Sequence, residues 1–223
     1  MTIDTKDFLN SILASLSRID YVKPEDLPNI DLYMDQVTTF MDSQLASSKR
    51  YPDDKVLTKT MINNYAKNNL LPPPVKKKYT KEHVLTLIFI YYFKNILSIS
   101  DLQHILNPIT EKYFASDSDL SLTDIYSEVF SLENDEVAHL AKDITRIFNV
   151  SFDTFKDAPE EDKEFLHTFS FICVLSFDVF VKKMLIEKII DELPKENPKE
   201  KADKKEKNKK ESHEKKSQKR TAS

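Results

Sequence analysis

Apolar residues recur at three- and four-residue spacing along most of this 223-residue chain, the period of helices that each bury one face. Phe8, Leu9, Ile12, Leu13 and Leu16 predict a helix over residues 5–18, and Pro24 and Pro28 set a loop over 20–30. From Asp31 to Leu45 a second helix is predicted, with Leu32, Tyr33, Val37, Phe40, Met41 and Leu45 on one face. Asp31 and Asp35 lie near the positive end of its dipole and read as a solvated face rather than a catalytic pair. Residues 46–56, with Pro52, form a polar loop. Thr58 suits the N-cap of a helix through Asn68, whose buried stripe is Met61, Ile62 and Tyr65. Asn69 is placed to end that helix in the left-handed conformation.

Pro72, Pro73 and Pro74 make a stiff connector that cannot continue a helix, and Lys76, Lys77, Lys78 and Tyr79 follow as a short loop or wing. Thr80 caps a helix with Glu82 and His83 in its first turn. From Val84 to Leu97 nearly every residue is apolar. The run is too short and too rich in tyrosine to span a bilayer, and Lys94 and Asn95 interrupt it. It therefore predicts a buried central helix. A further helix starts at Ser98 or Ser100 and runs to Leu106, where Asn107-Pro108 is expected to stop it. Beyond, Leu122-Thr123-Asp124 marks another start, and Ile125, Val129, Leu132, Val137, Leu140, Ile144 and Ile147 keep a helical rhythm. Pro159 precedes a long helix over 160–192 that is apolar on nearly all sides between Phe165 and Val181. Its charged flanks, His167 and Asp178 disfavour a membrane span, so a buried or dimer-forming helix is expected.

Charge sharpens this picture. The net charge of -4 is unevenly spread: residues 55–81 hold seven lysines and no acidic residue. A basic island in an acidic globule suits a polyanion, although a solvated lysine face reads the same way. Residues 194–223 hold 12 basic and 6 acidic residues and almost nothing apolar, so a disordered charged tail is expected.

Glycine is absent, which excludes the glycine-rich phosphate loops and forces other residues, most readily Asn or Asp, into any left-handed position. A single cysteine, Cys173, excludes a disulfide framework and reads as a packing residue. The five histidines have no ligand spacing, so no metal, cofactor or catalytic constellation is expected. Asp4 and Asp7 stand where a signal peptide would be positive, which points to the cytoplasm.

The outward positions of helix 58–68 are Lys59, Thr60, Asn63, Asn64 and Lys67. Asn can pair with adenine in the major groove, and Lys or Thr can reach phosphates. Asn is also a poor helix former, so its abundance here suggests a use. The stretch 61–106 resembles the N-terminal domain of the mercury-resistance-regulator (MerR) superfamily, a winged helix-turn-helix. Ile62, Tyr65, Lys67, Leu70, Leu71 and the prolines match its Ile-Arg-Tyr-Tyr-Glu-Arg-x-Gly-Leu-Leu-x-Pro run. Lys77 and Tyr79 occupy wing positions, and Leu97-Ser98-Ile99-Ser100-Asp101-Leu102 matches its last motif. Asn63 replaces an arginine, Ala66 an acid and Asn69 a glycine, and the wing is shorter. The stretches 30–37, 57–65, 72–74 and 76–79 are more closely similar to an uncharacterised family of Gram-positive bacteria known only as a domain of unknown function. Together the two likenesses cover about residues 28 to 150.

The expected fold is all-α, with at most a minimal β wing. Its parts are an N-terminal helix (1–27), a MerR-like DNA-binding domain (28–108), a C-terminal helical dimerisation or regulatory module (109–193) and the tail (194–223). The first resemblance implies a homodimeric transcriptional regulator that binds double-stranded DNA, without enzymatic activity. Thr58, Lys59, Thr60, Asn63, Asn64 and Lys67 are expected in the major groove, and Lys76, Lys77, Lys78 and Tyr79 on phosphates or the minor groove. The competing expectation is a helical adaptor whose lysine patch docks an acidic protein.

Overall fold

The computed structural model describes residues 5–16, 21–116 and 118–194. Among these are eight α-helices and one two-stranded antiparallel sheet, an all-α fold with a minimal β element. The chain divides into two units, residues 1–188 and 189–223. Of the second, the described residues are the last turn of the final helix and its end, where the Leu193 N–H donates to the Ile190 carbonyl at 3.1 Å.

The first unit is built on helix α4 (Lys81–Phe93). Residues 83 to 90 are all buried, so packing must cover this helix on every side. A helix tolerates such burial because its backbone groups are paired internally. Helix α5 (Ile99–Tyr113), helix α6 (Leu122–Ser131) and strand β2 (Lys78–Tyr79) pack on α4. From α6, Tyr126 and Phe130 each approach Phe89 at 5.5 Å between ring centroids. The buried Tyr126 hydroxyl donates to the Val22 carbonyl at 2.6 Å, tying the segment before residue 24 to this core. A second cluster joins helix α1 (Thr5–Leu16) to helix α7 (Glu133–Phe152) and helix α8 (Glu160–Glu192). Ile144, Ile147, Phe148 and Phe171 are its buried centre, and the predicted α1 stripe of Phe8, Leu9, Ile12, Leu13 and Leu16 packs around it.

Sequence expectations are corrected at four places: the start of the second predicted helix, the end of α5, the enclosure of α8 and the packing of Cys173. Asp31 to Tyr33 is not helical: Leu32–Tyr33 forms strand β1, and helix α2 is Met34–Gln44. Leu32 pairs with Tyr79 and Tyr33 with Lys78, so tertiary pairing overrides a pattern that α2 alone would extend. Tyr33 is consequently exposed, and its N–H starts α2 by donating to the Gln36 side chain at 2.8 Å. Helix α5 also runs through Pro108 to Tyr113. The proline forfeits one ladder bond, while Leu102 and Leu106 hold the preceding turns in the core. In α6 the buried stripe is Leu122, Tyr126 and Phe130, with Val129 and Leu132 exposed, because the large aromatic surfaces have more area to gain from burial. Helix α8, finally, is not enclosed, which sets aside the buried alternative and leaves the dimer-forming one standing as an expectation. Phe165, Phe169, Ile172, Phe177, Phe180 and Met184 are at least half exposed, and Cys173 is exposed as well rather than packed. No described helix is long and apolar enough to cross a membrane. The predicted tail, from residue 195, and the end of the predicted first helix at 17–18 lie outside the described residues.

His83 sits in the α4 core, edge-on to Tyr79 at 5.4 Å and Phe114 at 4.7 Å, with its Nδ1 accepting the Thr80 N–H at 2.9 Å. Burial holds its pKa below the ordinary imidazole value, and the Pro73 and Pro72 carbonyls only partly offset this. The folded state therefore keeps the ring neutral where the unfolded chain binds a proton. Stability is full above about pH 6.5 and falls as the pH drops below it. Urea unfolding at pH 7.5 and 5.5 should show this loss, and His83→Gln should flatten it. Tyr126→Phe should lower stability by about 1–2 kcal/mol in the same assay, because the buried Val22 carbonyl loses its donor.

Candidate nucleic-acid interface

Helix α3 (Lys59–Lys67) rests on α2. Thr58 caps it, its Oγ accepting the Met61 N–H at 3.2 Å. Ile62 and Tyr65 are buried and anchor the inner face. The end is a Schellman motif: the Leu70 N–H donates to the Tyr65 carbonyl at 2.9 Å and the Asn69 N–H to the Ala66 carbonyl at 3.2 Å. Asn69 takes the left-handed conformation (φ 55) that closes such a motif. Leu70 and Leu71 then drop into the core.

Lys59, Thr60, Asn63, Asn64 and Lys67 are all exposed, as the helical spacing predicts. They are not equally available. Asn64 accepts from the Asn68 amide, through its side chain at 3.1 Å and its carbonyl at 2.9 Å. Lys59 forms an ion pair with Asp35 of α2. Both partners are largely exposed, so the pair contributes about 1 kcal/mol at most and a phosphate can displace the carboxylate. Thr58 is half-buried, and its hydroxyl oxygen serves the cap. Gln103 of α5 donates to the Asn68 carbonyl, fixing the C-terminal end of α3 from behind. The α3 segment alone holds no signal for that bond, which joins residues 35 apart.

The wing is a tight turn. The Lys78 N–H donates to the Val75 carbonyl at 2.9 Å, and Lys76 (φ 50) and Lys77 (φ 64) both stand in the left-handed region. Two successive positive φ angles define a type I′ turn, which normally favours Asn-Gly. Here two lysines occupy it and point their exposed side chains into solvent. Lys78 is half-buried, with its ammonium 5.8 Å from the centre of the Tyr33 ring. Tyr79 is corrected outright: it is 4% exposed, and burial pushes its phenol above the ordinary value. Its ring packs on His83 instead of gripping phosphate. The apolar alternation across β1 and β2 turns it inward, since neighbouring strand residues face opposite sides.

The arrangement presents amides, a hydroxyl and ammonium groups on α3, with two further ammonium groups on the turn before β2. Residues 22–129 match the family described as "Domain of unknown function (DUF1836)". No family match supports the MerR-like likeness. Neither the search of curated proteins nor the search of solved structures finds a match.

Lys76→Asn with Lys77→Gly should raise stability by about 1–2 kcal/mol, because each lysine carries left-handed backbone strain. The same pair should weaken any polyanion binding. Thermal denaturation and a heparin-binding assay check the two halves separately.

Proposed function

We propose that this chain is a MerR-like, sequence-specific DNA-binding regulator that works in the cytoplasm and has no catalytic role. The reading rests on one observation above others: the exposed face of α3 carries Lys59, Thr60, Asn63 and Lys67 and no carboxylate of its own. That face suits the major groove, where Asn63 can read adenine and the lysines can meet phosphates. The element order β1, α2, α3, β2, α4 supports it, because this is a helix pair followed by a short wing on a rigid support. Lys76 and Lys77 then reach the flanking phosphates.

We also infer that the partner across α8 is a second copy of the chain. Phe165, Phe169, Ile172, Phe177, Phe180 and Met184 recur at helical spacing on the side away from the buried Phe171. Four exposed phenylalanines on one helix are a contiguous apolar stripe of the kind that marks an interface. Lys163, Lys182 and Lys183 are paired with Glu160, Asp178 and Glu187 on the same helix, so the stripe itself, rather than charge, would hold the two copies together.

Duplex DNA titrated at several salt concentrations tests the first reading. Binding should weaken with salt at about 0.9 per phosphate contact on a log–log plot. Lys76→Ala with Lys77→Ala should reduce that slope by about 2, whereas Asn63→Ala should reduce discrimination between sites by about 1–3 kcal/mol. No binding at low salt would overturn the reading in favour of docking on an acidic protein. Sedimentation equilibrium should give a dimer for the natural chain and a monomer for Phe169→Glu with Phe177→Glu.

A further inference from the structure

A second cationic feature is built from residues other than those of α3. The connection between α2 and α3 meets the C-terminal end of α4 in a cleft of about 270 Å³. Lys49, Arg50, Lys55 and Lys94 line it with Tyr91, against the single carboxylate of Asp54. That carboxylate is engaged, accepting the Tyr51 N–H at 2.9 Å. Lys49 is neutralised by Asp42 at 2.7 Å. Asp42 is held below the usual carboxylate range chiefly by that bond, and it also accepts the Val56 N–H at 3.4 Å.

Lys94 has no such counter-charge. Its ammonium is half-buried, donates to the Val56 carbonyl at 2.6 Å and lies 4.8 Å from the centre of the Tyr91 ring. Neither neighbour is an anion. The Tyr91 hydroxyl is hydrogen-bonded to Ser48, which holds the aromatic wall in place. Burial alone pushes the Lys94 ammonium below the ordinary lysine value. A desolvated cation that keeps its charge without a carboxylate is costly unless an anion arrives. The carbonyl end of α4 contributes about half a negative charge here. Lys94, Arg50 and Lys55 together outweigh it.

We propose that this cleft binds the phosphate group of an anionic ligand, with Lys94 at its floor and Arg50 and Lys55 at its rim. Arg50 supplies a planar fork that matches phosphate oxygens, and Lys94 supplies the ammonium hydrogens that Val56 leaves unused. The group can come from a free phosphorylated small molecule or from a DNA backbone; both present the same chemistry. Because Val56 lies two residues before the Thr58 cap, an occupied site acts on the segment that leads into α3.

Titration calorimetry with pyrophosphate, on the full chain at matched ionic strength, tests the site. The natural chain should bind it with a defined stoichiometry. Arg50→Ala with Lys55→Ala and, separately, Lys94→Gln should each weaken binding at least tenfold. The rim pair is exposed and leaves the fold untouched, so the test survives if Lys94→Gln unfolds the chain. Absence of pyrophosphate binding, or equal binding by the natural chain and the rim variant, overturns the proposal. A duplex-DNA arm separates the sources. Loss of DNA affinity in the rim variant, with displacement of DNA by pyrophosphate, assigns the phosphate to the backbone. Unchanged DNA affinity assigns it to a free ligand. The pyrophosphate arm is independent of DNA binding, so this proposal and the DNA-binding one can fail separately.

Discussion

Burial of α4 on every side is the constraint from which the rest of the first unit follows. Residues 83 to 90 leave no face for solvent, so each flank must be filled. The aromatic side of α6 fills one and Leu102 and Leu106 of α5 another. Strand β2 closes a third, bringing Tyr79 against His83. That closure has a directional effect. Once Tyr79 is inside and β2 is paired with β1, the preceding turn can only project outward. The exposure of Lys76 and Lys77 is thus an outcome of core packing as much as of their own polarity.

The absence of glycine bears on how tightly this is specified. Left-handed backbone occurs at Asn69, Lys76, Lys77, Ala115 and Phe155. Only the first is a residue that takes the conformation readily. Surrounding structure must enforce the others. At the wing, pairing of Lys78 with Tyr33 on one side and the proline connector on the other leaves the chain too few residues for a wider reversal.

Local signals made much of this legible in advance. Capping at Thr58, Thr80 and one of Ser98 or Ser100, the start at Leu122-Thr123-Asp124 and three-to-four spacing placed the helices, because all act within a turn or two. The outward face of α3 was equally legible: its buried stripe is unambiguous. What could not be read required partners distant in sequence. Strand β1 exists only because β2 pairs with it across the intervening residues 34–77. Tyr79 looked like a ligand-facing aromatic because nothing nearby announces His83 and Phe114 as its company. Lys94 looked like an interruption of an apolar run, and only the folded loop at Val56 gives it a role.

The bond between Tyr126 and Val22 spans 104 residues, and Phe8 of α1 meets Phe148 of α7 at 6.2 Å. Both join the beginning of the chain to elements made much later. Closing such loops is entropically expensive and slow relative to local helix formation. During synthesis α2 to α5 can collapse on α4 as soon as they emerge, while the opening segment has nothing to bury its apolar stripe against. It must wait, exposed, until α7 and α8 leave the ribosome. Residues 5–16 are therefore made long before they can be covered, and a chain stalled before residue 144 would present its α1 stripe to whatever chaperone is at hand.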